Sequence, residues 1–406
     1  MSAKDELNNA DVAIIGGGLV GMALALALAQ PPLKKRVVII ERQSWQEPPD
    51  KGKALALNIA SQTILQQLGV WSELPSVQPI SEVLVSEQGR WGQLHLPASL
   101  LNRQALGYVV PEPHLKKVLW QLTQNNAHIQ WCRPAQVKQL TRNSKNWEVL
   151  VQDDSKETAW LVEGLVAADG QNSWVRQHLG YECDYKDLRE QAIVGSLELY
   201  EPHYGRAHER ITSQGTLALL PTGQRSYDWV ITGTSDQLNN LKQDDVSKDR
   251  QCQTIRALMN NRLGQIKSFS QHGVYPLSWM TMPQQADEGI VFLGNAAHSI
   301  HPIAGQGLNL SLRDMAALVN YGLSAYHRNE AMFTHFVLQC YQNERKLRQK
   351  PVLCLTDSLR NWACSDQKWR ACFRSCGLGI LDMIPYAKKQ IMWHLAGLND
   401  HRRLII

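Results

Sequence analysis

The stretch Val12-Ala13-Ile14-Ile15-Gly16-Gly17-Gly18-Leu19-Val20-Gly21 decides how the rest of the chain is read. Four consecutive apolar residues predict a strand buried on both faces of a parallel sheet. Gly16 permits a tight turn after it, and Leu19 to Gln30 reads as an Ala/Leu-rich helix that Pro31-Pro32 stops. Val37-Val38-Ile39-Ile40 is a second buried strand, which closes a βαβ unit. Within this GxGxxG pattern, Gly18 lets a pyrophosphate approach the backbone and Gly21 lets helix and strand pack closely. The helix N-terminus presents free N–H groups and a partial positive charge to the phosphates. Glu41, at the end of the second strand, is placed to accept hydrogen bonds from ribose hydroxyls. The unit predicts dinucleotide binding and leaves NAD and FAD equally open.

Working outward, 406 residues is more than one domain usually holds, so two lobes are expected. The content of 44% hydrophobic and 19% charged residues predicts an ordinary globular chain with a sizeable core. The net charge of +5 is mild, and the densest positive group is Arg345-Lys346-Leu347-Arg348-Gln349-Lys350. With no basic stripe and no nucleic-acid motif, nucleic-acid binding is not expected. The eight cysteines form no CxxC pair, and Cys372 and Cys376, one helical turn apart, have no matching ligand set. Buried thiols in a reducing compartment are expected, with no metal. Met1 to Asn9 has no apolar segment of the secretory kind, so a cytoplasmic protein is expected.

Alternating residues at Ile80 to Leu106, Ala192 to Leu199, Thr216 to Leu220 and Ser226 to Thr232 predict half-exposed antiparallel strands of a second lobe. Val162 to Ala168 and Gly289 to Gly294 return to the buried, parallel kind, so the second lobe interrupts the first. Each carries a motif at its end. Asp169-Gly170 is followed by Ser173 and Arg176, which brace the turn or face a phosphate, bracing being favoured. In Gly294-Asn295-Ala296-Ala297-His298-Ser299-Ile300-His301-Pro302-Ile303-Ala304-Gly305-Gln306-Gly307-Leu308-Asn309, two glycines bracket a sharp loop before a helix. That is a second anion-accepting N-terminus, and the Asn295 amide can exchange two hydrogen bonds with a polyol.

Together the three motifs resemble the FAD-dependent aromatic hydroxylases of the para-hydroxybenzoate hydroxylase type. Pro302, Gly305-Gln306-Gly307 and Asn309 look most like the branch that hydroxylates ubiquinone precursors, the 2-polyprenyl-6-methoxyphenol hydroxylases among them. The likeness extends to Thr212 to Pro221 and to Arg374, Gly377-Leu378, Asp382, Pro385 and Lys388. It implies an α/β fold: a Rossmann-like FAD-binding domain, an interleaved sheet-based substrate domain and C-terminal helices. The expected boundaries are 1–75, 104–180 and 272–330 for FAD, 76–103 and 181–271 for substrate, and 331–406 for the helices. By the same resemblance, Gly16, Gly18 and Gly21 hold the FAD pyrophosphate, and Glu41 holds the ribose. Val137 lies against the adenine, and Asp169 forms the loop shared by flavin and NAD(P)H. Asn295 meets the ribityl chain or the pyrophosphate, and Pro302 with Gly305, Gln306, Gly307, Leu308 and Asn309 borders the flavin ring. Lys53 takes a position where Arg is common, two residues after Lys51 where Asp is common. Asn295 replaces a usual Asp, Pro111-Glu112 falls where Glu and a basic or amide residue are often seen, and Ser311 replaces a usual Gly.

The implied activity is hydroxylation of a polyprenyl phenol with NAD(P)H and O2, by way of a flavin C4a-hydroperoxide. His301 and Pro302, at the expected reaction centre, are the expected catalytic residues. For His298 loop packing is favoured over proton transfer, whereas for His301 both readings stay open. An FAD-dependent prenyl-lipid reductase and an inert subunit of a quinone-biosynthesis assembly are the alternatives, and other ubiquinone-biosynthesis proteins are implied partners. Trp362, Trp369, Phe373, Trp393 and Leu395 occur with Lys388, Lys389, Arg402 and Arg403. This region fits either a peripheral seat on the inner face of a membrane or ordinary packing against the body.

Overall fold

The computed structural model describes residues 7–49, 52–154, 156–241, 247–363 and 368–398. Lys51, Arg402, Arg403 and the side chains of Trp362, Trp369, Cys372 and Phe373 lie outside the described residues. The apolar run Val12–Ile15 forms the strand its composition predicts and lies within a six-stranded sheet. The order across that sheet is Ala286–Asp287, Ile290–Phe292, Gly164–Ala167, Val12–Ile15, Val37–Ile40 and Ile129–Cys132. All pairings but the first are parallel. Val12, Ile14, Val37 and Ile39 point to one face, where helices Leu19–Ala29 and Gln306–His327 pack. Ala13, Ile15, Val38 and Ile40 point to the other, beneath Trp147, Val149, Val151 and Trp160 of a four-stranded sheet. Covered on both faces, the central strands have no polar side to show, which is why they read as unbroken apolar runs.

The alternating segments assemble into an eight-stranded sheet. Its order is His298–Ser299, Ile266–Thr281, Asp184–Leu199, Ser226–Thr234, Gly215–Pro221, Arg206–Thr212, Glu82–Glu87 and Gln93–Pro97. One pairing departs from the antiparallel expectation: Arg206–Thr212 runs parallel to Glu82–Glu87, which a distant crossover delivers. The outer face buries Ile193, Leu217, Leu219, Tyr227, Trp229 and Ile231 with Ile255 and Leu258 of helix Lys248–Leu258. The inner face sets Leu220, Ala207 and Val83 against Ala54, Ile80 and Val109 of a three-stranded sheet. That small sheet comprises Ala54–Asn58, Gly107–Pro111 and Gln78–Ile80. The boundary expected at residue 272 falls inside the strand Ile266–Thr281, whose whole length pairs within the large sheet.

Helices His335–Ala363, Lys368–Met383 and Pro385–Leu395 follow. The last two attach to the large sheet through the Arg374–Glu87 ion pair at 2.6 Å and through Asp382, which accepts from His95 N–H and Lys388 Nζ. Among the described residues no helix is long and apolar enough to cross a membrane. The expected burial of the thiols needs correction, because Cys132, Cys183, Cys252, Cys340 and Cys376 are half-buried and Cys354 is exposed.

Within the basic cluster, Lys346, Arg348 and Lys350 are exposed, but Arg345 is not a surface charge. Arg345 is 1% exposed and its Nε lies 2.6 Å from Asp314 Oδ1. Asp314 Oδ2 also takes His298 Nε2 at 2.6 Å and Gln349 Nε2 at 3.0 Å. Burial alone would raise the Asp314 carboxyl, yet the Arg345 charge and the His298 and Gln349 bonds outweigh it and hold it at about 2. Substituting Asp314→Asn leaves Arg345 buried without its counter-charge, so urea denaturation should show a loss of about 3–5 kcal/mol at pH 7. A carboxyl depressed on folding contributes stability above its unfolded value near 4 that disappears as pH falls through about 2. The gap between wild type and Asp314→Asn should therefore close over that acid window.

Candidate flavin site

The glycine turn is built from two close approaches and one gap. Gly16 has φ +109, and a Cβ there would lie 2.3 Å from Ala168 O; at Gly21 it would lie 2.1 Å from Gly16 O. Neither position accepts a side chain. Gly18 differs: its φ is −76 and no atom would stand within 4 Å of its Cβ. The space it leaves open lies at the start of helix Leu19–Ala29, whose N-terminus has no side-chain cap. Such a cradle suits a phosphate. Glu41 closes one side, accepting Gly17 N–H at 2.8 Å through Oε2 and Gln43 N–H at 3.0 Å through Oε1.

The second motif meets the first at Ala168. Asp169 Oδ2 accepts Val175 N–H at 3.1 Å, while its buried Oδ1 has no hydrogen-bond partner among the described residues. Ser173 caps the short helix that follows. Buried Arg176 donates to Ala296 O at 2.8 Å and Gln171 O at 2.7 Å, so it braces the turn and does not face a phosphate. Its hold on Ala296 brings in the third motif. Gly294 has φ +63, and a Cβ there would lie 3.4 Å from Val20 Cγ2 in the first turn of the first helix. Asn295, next in the chain, is exposed at that junction. Gly16–Gly18, Asp169 and Asn295 thus converge on one region.

The Gly305 loop closes the far end. Gly305 adopts φ +59 and a Cβ there would lie 3.2 Å from Ala56 Cβ, so the turn rests on strand Ala54–Asn58. Helix Gln306–His327 starts here without a side-chain cap, and its first-turn N–H groups at Gln306, Gly307 and Leu308 form a second anion-accepting end. Asn309 has its side chain committed elsewhere. Its Nδ2 donates to Ala56 O and Gly305 O, and its Oδ1 accepts from Asn58 N–H and Ser61 Oγ. Ser311 accommodates its hydroxyl by bonding Gly307 O at 3.0 Å. Buried His301 accepts Ile303 N–H on Nδ1, which leaves the ring proton on Nε2, 3.2 Å from Glu190 Oε2 of the large sheet. Burial would raise the Glu190 carboxyl, but its bonds to His301 and Arg360 hold it at about 2.

Two expected positions lie at the margins. Lys53 Nζ is half exposed, 3.7 Å from Glu112 Oε2, a pair that replaces the planar fork of an arginine. Val137 sits at a bulge in strand Ala135–Arg142, half-buried against the layer of Ile15, Val38 and Ile40. Three of the tryptophans form a group the sequence does not announce. Trp45 stacks on Trp120, Trp131 meets Trp120 edge-on, and Arg133 lies over all three rings. Trp131 also abuts Gly17, so this stack walls the Glu41 side of the turn.

The open cradle at Gly18, the orphaned Asp169 oxygen and the two uncapped helix ends fit an extended, doubly phosphorylated cofactor with a polyol linker. Gly18→Ala should leave the fold intact, since its backbone is unstrained, yet lower FAD affinity about tenfold or more. Gly21→Ala should lose both stability and flavin. Flavin-to-protein absorbance ratio and melting temperature distinguish the two outcomes.

Comparison with known proteins agrees with this chemistry. The 3-demethoxyubiquinol 3-hydroxylase of Escherichia coli is 30% identical over 345 residues, covering 82% of this chain and 85% of that protein. A ubiquinone hydroxylase of Neisseria meningitidis is 25% identical over 398 residues, covering 96% and 85%. In fold, the p-nitrophenol 4-monooxygenase of Pseudomonas putida superposes with a TM-score of 0.78 at 14% identity, covering 98% of this chain and 100% of that one. The FAD binding domain family matches residues 9–356. With that match spanning most of its length and the three glycine motifs converging on one cradle, the chain belongs to the FAD binding domain family, and its cofactor is FAD.

Proposed function

We propose that this chain is an FAD-dependent monooxygenase that hydroxylates the aromatic ring of a polyprenyl phenol in ubiquinone biosynthesis. The observation that carries the reading is the meeting of the Gly305 loop, the Ala54–Asn58 strand and the inner face of the large sheet at the end of the flavin cradle. A phenol held between that sheet and the loop is shielded from water on both sides. The balance is ring C–H + O2 + NAD(P)H + H⁺ → ring C–OH + H2O + NAD(P)⁺. Bound FAD supplies the redox chemistry that splits O2. The chain supplies placement. Gly16, Gly18 and Gly21 shape the pyrophosphate seat, Glu41 takes the ribose and Val137 underlies the adenine end. Asp169 and Asn295 flank the middle of the cofactor. The Gln306, Gly307 and Leu308 N–H groups, at the uncapped start of their helix, would stabilise negative charge on the reduced flavin.

Pro302 and His301 border the substrate side. His301 sets its Nε2 3.2 Å from Glu190 Oε2 of the large sheet, so it is assigned the task of holding the loop against that sheet. Lys53 keeps a positive charge at the cavity margin. Relatives named ubiquinone hydroxylases support the ring chemistry over the reductase and inert-subunit alternatives. The test is an incubation of the yellow protein with a prenylated phenol, NAD(P)H and ¹⁸O2. One labelled oxygen per product ring is expected, and NAD(P)H oxidation with no labelled product would overturn the reading.

For a substrate with a long prenyl tail, the C-terminal helices supply a membrane seat. Met383 is 82% exposed, Tyr386 72% and Ile380 59%, with Ile384, Trp393 and Lys389 nearby. Apolar side chains flanked by lysine suit an interface with anionic lipid. The protein should sediment with phosphatidylglycerol vesicles, and Met383→Ser with Tyr386→Ser should reduce the bound fraction several-fold without changing flavin content.

A further inference from the structure

Along the central strand Ser226–Thr234, alternate residues face opposite ways. Tyr227, Trp229 and Ile231 fill the outer core, so Asp228 lies on the inner face, the side on which the small sheet packs. Its cross-strand neighbours there are Leu220 and Ser196. Leu220 packs on the small sheet beside Ala54 and Ala56. Ser196 shares a hydrogen bond with Ser270, and His272 Nε2 lies 3.1 Å from Ser196 Oγ.

Across the gap, the backbone N–H of Ala54 is the polar group that acts on the Asp228 carboxyl, drawing it down against burial. Ala54 faces Pro111 in the small sheet, and the neighbouring Glu112 N–H bonds Lys53 O. This register leaves the Ala54 N–H pointing out of its own ladder, towards the large sheet. Two residues further along, Ala56 supports Gly305. Asp228 therefore stands on the wall that faces the Gly305 loop, and among the described residues it has no ion-pair partner: Lys53, beside Ala54, is turned to Glu112. Burial pushes this carboxyl up to about 7, the Ala54 N–H offsetting only part of the effect.

We propose that Asp228 anchors the ring hydroxyl of the phenolic substrate, accepting its O–H with one carboxylate oxygen while the Ala54 N–H steadies the group. This rests on the reading of the substrate as a phenol. An unpaired carboxyl on a half-buried wall is costly for a fold and useful to a hydrogen-bond-donating ligand. Because the acceptor is the ionised form, phenol affinity rises with pH through neutrality.

The experiment titrates the FAD-loaded protein with 2-prenylphenol and with prenylbenzene, which lacks the hydroxyl, following flavin absorbance from pH 6 to 8. In the wild type, 2-prenylphenol should bind about tenfold more tightly at pH 8 than at pH 6. Prenylbenzene should bind weakly and independently of pH. Asp228→Asn should remove the pH slope and most of the preference for the hydroxyl while keeping full flavin content. Asp228→Leu gives the same reading in a variant with no buried polar group to satisfy. A pH slope that persists in either variant, from His272 for instance, or phenol affinity within twofold of wild type at pH 8, would overturn the proposal. Failure of the wild type to bind 2-prenylphenol at any pH would instead remove the phenol reading itself, and this inference with it.

Discussion

The architecture of the site depends on one side-chain amide. Asn309 makes four hydrogen bonds, two as donor and two as acceptor, to Ala56, Gly305, Asn58 and Ser61. They join the start of the long helix, the left-handed turn before it, the edge strand of the small sheet and the helix after that strand. Asn58 carries the tie onward, its Nδ2 reaching Leu395 O in the last helix. Donor and acceptor on one planar group fix both distance and orientation, which neither aspartate nor leucine could do at this volume. The Gly305 loop is thus positioned by a buried and satisfied polar group, so its backbone N–H groups are preset before a ligand arrives.

A second constraint acts at the other end of the cofactor. Gly16, Gly21 and Ala168 approach one another so closely that no side chain fits at either glycine, while Gly18 faces open space. Three identical residues in a row therefore perform different tasks. Gly16 supplies a positive φ and a contact, Gly17 gives an N–H to Glu41, and Gly18 leaves a vacancy for a phosphate. Arg176 links this end to the Asn295 turn through Ala296 O, so the cradle is one braced unit.

Much of this was legible in the sequence, for a physical reason. A strand covered on both sides must be apolar throughout, so Val12–Ile15 and Val37–Ile40 announce their burial without a structure. Glycine turns likewise announce close approaches. What the sequence could not reveal is which polar groups meet across long separations. Arg345 reads as part of a surface charge cluster, because nothing near it in the chain signals that Asp314, thirty-one residues earlier, is its buried partner. Asn309 reads as a cofactor ligand from its loop, although its side chain is spent on Asn58 and Ser61, 251 and 248 positions away. Asp228 lies in an alternating segment whose period is plain, yet alternation says only that two faces differ. Whether the polar one meets water or a cavity is decided by the small sheet, which comes from residues 54–111.

The buried carboxylates divide by partnership, and that division separates scaffold from site. Asp314 and Glu190 flank the Gly294–Asn309 segment, each with an arginine and a histidine, and each held ionised at about 2. Paired in this way they carry no reactivity near neutrality and act as fixed struts. His298 and His301 belong with them, the first bonded to Asp314 and the second 3.2 Å from Glu190. Asp228 is built the opposite way: among the described residues no guanidinium or imidazole pairs with it, and burial raises its carboxyl to about 7. A fold that supplies Asp314, Glu190 and Glu87 with counter-ions leaves half-buried Asp228 without one among the described residues, on the wall facing the Gly305 loop. Its missing partner is best understood as the substrate.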